Sequence, residues 1–143
     1  MSQRSYRLGR LSVAGLAGAL LLVTGRAADL EHGEALFVEH CAACHTVIER
    51  VRDKSGPNLY GLFGRQAGTE EYSAGFSDEL VASQITWQIP TLEVFLIAPA
   101  RMVRGTTMVY RGLADAEERR DVACYLERVG GGDGEAPSAL CAD

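Results

Sequence analysis

Cys41-Ala42-Ala43-Cys44-His45 is the stretch that decides how this chain is read. Cysteines three residues apart on a helix point to the same side, and Cys-x-x-Cys-His is the pattern that holds a haem covalently. Each thiol forms a thioether to one vinyl group, and the histidine that follows puts an imidazole nitrogen on the iron. Three other uses of two close cysteines compete. A dithiol redox site belongs in a βαβ setting, which the sequence does not offer. A zinc site needs a second ligand pair at metal-like spacing, and Cys124 and Cys141, seventeen apart, do not supply one. A disulfide closed across two residues is strained. The motif alone leaves these alternatives standing.

Two flanking segments carry a helical period. Leu30, Gly33, Phe37, Cys41 and Cys44 recur at steps of three and four, behind Asp29 as N-cap. Near the other end Val122, Tyr125, Leu126 and Val129 form a second stripe, and Asp115 with Glu118 has the form of a capping box. Between them Gly56-Pro57, Gly61, Gly64, Gly68 and Gly75 break the chain too often for long elements. A short helix after Thr91 (Leu92, Phe95, Leu96) is expected, with Pro90 in its first turn and Pro99 beyond its end. No alternating β-branched run points to a sheet. The expected fold is all-α, a few helices and long loops, and loops that long need something large and apolar to organise them.

Residues 1–27 read as a leader. Arg4, Arg7 and Arg10 precede an apolar run from Leu11 to Thr24, and Gly25-Arg26-Ala27 places small residues at a cleavage site. The run is shorter than the ~20 residues of a membrane span. Cleavage after Ala27 is expected, with an uncleaved anchor as the competing reading, and the destination is read as the periplasm. The leader holds four of the 14 bases and none of the 19 acids, so its removal leaves a net charge near −9. Such a balance argues against nucleic acid and anionic lipid as partners.

Several further blocks fall in register with the haem motif. They are Gly56-Pro57-Asn58-Leu59-Tyr60-Gly61-Leu62-Phe63-Gly64-Arg65, then Ile85-Thr86-Trp87, then Gly105-Thr106-Thr107-Met108. From about Gly33 to Val129 the chain resembles the class I c-type cytochromes, the soluble mitochondrial and bacterial periplasmic forms, with roughly one added residue near Glu70. The resemblance implies a cytochrome c fold over residues 28–130, wrapped around one covalent haem. The first and last helices cross where Gly33 and Phe37 meet Tyr125 and Leu126. Residues 131–143 are expected to form a flexible tail.

The resemblance also implies roles. Cys41 and Cys44 carry haem c, and His45 is the proximal ligand. The other N–H of His45 is donated to the carbonyl of Pro57, which fixes the tautomer and strengthens the ligand. Met108, rather than Met102, is the distal ligand, and thioether ligation raises the potential relative to two imidazoles. Arg65 and Trp87 resemble the donors to a buried haem propionate. Four departures stand beside these matches. Arg104 replaces a proline before Gly105-Thr106, which loosens the ligand loop. Phe76 replaces a tyrosine, with Tyr72 as its candidate substitute. Phe95 stands where a tyrosine commonly bonds the methionine sulfur, and Leu80 replaces a buried asparagine. Losing both polar partners together can be nearly neutral, so a drier distal pocket is expected.

The function implied is that of a soluble, monomeric electron carrier, not an enzyme, passing single electrons through an exposed haem edge. Its partners are redox proteins: a cytochrome bc-type complex, a dehydrogenase, an oxidase or a reaction centre. The alternative is a haem relay subunit, or a haem protein in which Met108 leaves to admit peroxide or a gas. His32 and His40 are read as solvent-facing. Cys124 stands about 200° around its helix from Val122, opposite the apolar stripe, so its thiol is expected to be accessible. A disulfide with Cys141 and a bridge between two chains both remain open.

Overall fold

The structure is a computed structural model, and it describes residues 26–130 and 138–142. The leader lies outside the described residues up to position 25, as do residues 131–137 of the tail. Among the described residues five helices follow in order: α1 Leu30–His40, α2 Asp78–Ala82, α3 Ile89–Ile97, α4 Pro99–Met102 and α5 Ala116–Val129. Among the described residues the only β pairing is an isolated antiparallel bridge between Gln66 and Thr86. No helix among them is long and apolar enough to cross a membrane.

α1 begins where its cap predicts. Asp29 accepts from the backbone N–H of His32 at 3.0 Å, and Glu31 lies in the first turn, at the positive end of the helix dipole. The helix ends at His40, earlier than its apolar period suggests. The haem motif therefore lies on a tight turn just past the helix, in which the N–H groups of Cys44 and His45 both bond the Cys41 carbonyl, at 3.0 and 2.9 Å. α5 is capped by Asp115, which accepts from Glu117 N–H at 2.7 Å and Glu118 N–H at 3.1 Å. α3 starts at Ile89, ahead of the expected position, and Pro99 opens α4 instead of merely following a helix end.

The crossing of α1 and α5 forms as expected. A Cβ on Gly33 would sit 2.2 Å from the Asp121 carbonyl oxygen, so only hydrogen fits between the two backbones. One turn on, the rings of Phe37 and Tyr125 meet at 5.6 Å. Leu36, Phe37, Leu92, Leu96, Val122 and Leu126 are all buried, which joins α1, α3 and α5 in one core.

Two readings need correction. Cys124 is not accessible: it is 1% exposed and joined to Cys141 in a disulfide. The helical-wheel argument assumed one buried stripe, whereas α5 is covered by α1, by α3 and by residues 138–142. Those residues are accordingly not a free tail, since Ser138 N–H also bonds the Glu127 carboxylate at 3.0 Å. His32 is exposed, as expected, and its Nδ1 lies 2.9 Å from the carboxylate of buried Asp121, whose other oxygen accepts from Asp29 N–H at 2.8 Å. His40 is exposed, as expected.

Candidate haem-binding site

A cavity of about 420 Å³ lies inside the fold, a size ordinary for a small-molecule site. Cys41, Cys44, His45, Pro57, Arg65, Trp87, Phe95 and Met108 all line it, and Met102 does not. The residues singled out in the sequence thus come from four separate segments to one place.

The proximal side is built by the turn after α1 and the loop that follows. His45 Nδ1 donates to the Pro57 carbonyl at 2.8 Å. A carbonyl can only accept, so the proton sits on Nδ1 and the Nε2 lone pair is free. Burial is the main cause that lowers the His45 pKa, and Lys54 lowers it further against the opposing pull of the Pro57 carbonyl. The ring is therefore held neutral, the form that binds a metal. Gly56 is required for this approach: a Cβ there would lie 2.5 Å from His45 Cε1. Cys41 and Cys44 are free thiols, and burial, then the neighbouring Cys44, pushes Cys41 up to about 11.

Beyond this wall the cavity is mostly apolar and aromatic, with Leu62, Leu80, Leu92, Leu96, Val122 and Leu126 among its sides. The Trp87 and Phe95 rings meet edge to face at 5.0 Å. Arg65 reaches the cavity but its guanidinium already pairs with Glu70, and it approaches the Asn58 carbonyl at 3.4 Å. Tyr72 and Phe76 pack at 5.2 Å, and the Tyr72 hydroxyl donates to the Ser55 carbonyl at 2.5 Å. Met108 arrives on the strap after α4, its N–H donating to Thr106 Oγ1 at 3.3 Å.

Several lining residues, Tyr110 among them, were passed over in the sequence. Tyr110, two residues past Met108, also faces the cavity, and among the described residues its buried hydroxyl has no hydrogen-bond partner. Burial first, then nearby Cys41, Glu118 and Glu39, push it up to about 12. It lies in a strap without period, where no spacing rule marks a side chain as inward.

The donor set suits a haem: two thiols, a neutral imidazole and a thioether around an apolar cavity. A family profile for cytochrome c matches residues 30–130. The chain belongs to the cytochrome c family. It is 41% identical over 104 residues to cytochrome c of Guizotia abyssinica, a match covering 71% of this chain and 90% of that one. Cytochrome c of Ginkgo biloba is also 41% identical over 104 residues, covering 71% and 88%, and that of Theileria parva is 39% identical over 101 residues, covering 71% and 86%.

Membership makes the chain a haem electron carrier and not an enzyme, with covalent haem c on the Cys41–Cys44 motif. The periplasmic destination read from the leader is overturned by the same relatives. They are proteins of plants and of Theileria, eukaryotes, and eukaryotes have no periplasm.

Proposed function

We propose that this member of the family carries single electrons with its iron held between His45 and Met108. The observation that supports this most is the gathering in one cavity of the two thiols, an imidazole presenting a free Nε2 lone pair, and the Met108 thioether. The haem supplies an iron that changes between ferric and ferrous without bond rearrangement. The chain's residues do the remainder. Pro57 orients the His45 ring and strengthens it as a ligand. The apolar walls exclude water, and a thioether ligand favours the ferrous state. Arg65 and Trp87 are the proposed donors toward a propionate, Arg65 while still paired with Glu70.

The proposed route for electrons is the open side of the cavity. Among its lining residues His40, Cys44, Ser55, Gln66, Glu70, Thr107 and Val109 are exposed; none is a lysine, and the one carboxylate, Glu70, is paired with Arg65. Docking by such a rim is brief and depends little on charge. The partners proposed are redox proteins of the bc-complex, oxidase, dehydrogenase or reaction-centre kinds. Optical spectra of the haem-loaded protein test the reading. Sharp reduced bands that survive denaturation, with an oxidised sulfur-to-iron charge-transfer band lost in Met108→Ala, are expected. A high-spin spectrum without that band, or one that responds to peroxide, overturns it.

A further inference from the structure

We infer that Arg119 is a positioning residue for Met108: it ties down the C-terminal foot of the strap that carries Met108 and so keeps the thioether within reach of the iron. The inference rests on Met108 ligation as proposed above. Its starting point is an oddly placed cation. Arg119 stands in the first turn of α5, where the helix dipole favours the acids Glu117 and Glu118 and disfavours a positive charge. Its Nε is buried without a partner among the described residues, so the guanidinium also gives up water to be there.

What holds it is a set of three backbone carbonyls. Arg119 Nη1 donates to Leu113 at 2.8 Å, to Ala114 at 2.7 Å and to Asp115 at 2.9 Å. Three consecutive carbonyls are thus turned toward one nitrogen, and bonds from a charged donor are roughly twice as strong as neutral ones. These residues are where the strap meets the core. Leu113 is 5% exposed, and its N–H bonds the Leu96 carbonyl at 2.8 Å. Just before it, Gly112 has φ +104°, and a Cβ there would lie 2.1 Å from the Ile97 carbonyl oxygen. The foot is therefore seated on the end of α3 and clamped to α5 by Arg119. At the other end, Val103 N–H bonds the Pro99 carbonyl at 2.9 Å. Between the two feet, the run from Thr107 to Arg111 makes no backbone–backbone hydrogen bond among the described residues. A segment with a free interior is placed by its ends. Freeing the foot from α5 lengthens the free segment and widens the volume that the Met108 sulfur explores.

The test is Arg119→Met in the haem-loaded, oxidised protein, which keeps an unbranched stem and deletes every donor. Imidazole is titrated in, and loss of the sulfur-to-iron charge-transfer band reports displacement of Met108. Imidazole is expected to bind about tenfold more tightly than to the parent, the size that follows when about one net hydrogen bond of restraint is lost. Arg119→Lys keeps the charge and a three-proton donor on a shorter stem. It is read in the same way if the methionine variant does not fold, with about threefold tighter binding expected. The control replaces Cys124 and Cys141 together by alanine, which weakens the fold away from the strap and is expected to leave imidazole affinity unchanged. An Arg119 variant that folds and binds imidazole as the parent does overturns the inference. So does a cysteine control that gains affinity as much as the Arg119 variant, since general loosening would then explain both. Absence of the charge-transfer band in the unmodified protein overturns Met108 ligation itself.

Discussion

The two loops that bring the proposed iron ligands are held in very different ways. The proximal loop fastens itself. Asn58 alone donates to the carbonyls of Ile48 and Val51, both at 2.9 Å, and accepts from Tyr60 N–H at 2.9 Å. Asp53 accepts from Asn58 N–H at 2.7 Å, and Gly56 N–H bonds the Cys44 carbonyl at 2.8 Å. The Lys54 ammonium closes on the Ala42 carbonyl. The distal strap from Arg104 to Gly112 has two such bonds among the described residues: Thr106 N–H to the Val103 carbonyl and Met108 N–H to Thr106 Oγ1. His45 is therefore placed before any iron arrives, whereas Met108, the proposed second ligand, would be placed largely by a bond to iron. Of the two proposed ligands, the methionine is the one expected to leave first.

The largest expected effect is a control on that contrast. Replacing Cys124 and Cys141 together by alanine removes a staple remote from both loops, and a disulfide closing a loop of this size is worth about 3 kcal/mol. Denaturant unfolding should show that loss, while the affinity of imidazole for the Met108 position in the folded protein stays as it was. Next, Gly56→Ala forces a methyl against the His45 ring and the Cys44 carbonyl. Overpacking of that kind costs about 1–3 kcal/mol, and the unfolding midpoint together with an altered haem spectrum should report it. An alanine tolerated there without cost would show the proximal loop to be as yielding as the distal one.

Arg104→Pro works in the other direction. Val103 already has φ −121° and ψ 93°, the extended conformation that precedes proline, and Arg104 N–H makes no hydrogen bond among the described residues. Stiffening such a site adds about 0.4–1 kcal/mol, so imidazole should displace Met108 about two- to five-fold less readily. Unchanged displacement would mean that the strap is not the weak side. The smallest effect concerns neither loop. The hydrogen bond to Asp121 is the chief cause that raises the His32 pKa. A raised folded-state value means that the stabilisation is fully present below pH ~6.5 and is lost as pH rises through the folded pKa. Thermal unfolding of the parent and of His32→Gln, followed across that range, should converge as the pH rises.

The contrast also marks what the sequence could reveal. α1 and α5 were legible because each pairs a cap with an apolar stripe, and the proximal wall because Cys-x-x-Cys-His and Gly56-Pro57 demand particular backbones. α2 was not, because its five residues bury nothing and only the Ser77 cap marks it. Cys124 was misplaced because a single-stripe argument fails for a helix covered on several sides. Tyr110 escaped for the same reason that the strap is loose: a segment without regular hydrogen bonding has no period to read.

The disulfide has a consequence for how the molecule is made. Four thiols start on one nascent chain and must reach two separate fates. Cys41 and Cys44 have to stay reduced until they meet the vinyl groups, while Cys124 and Cys141 have to be oxidised. Exchange connects all four until something removes a pair from the pool. Cys124 is sealed in the core once α5 packs, so its oxidation belongs to the time before packing is complete. The haem pair is removed from exchange only by thioether formation, which is not reversed by thiols. Biogenesis thus requires a reductant and an oxidant acting on the same chain in order, and a chain that joins Cys41 or Cys44 to Cys124 is lost to both fates.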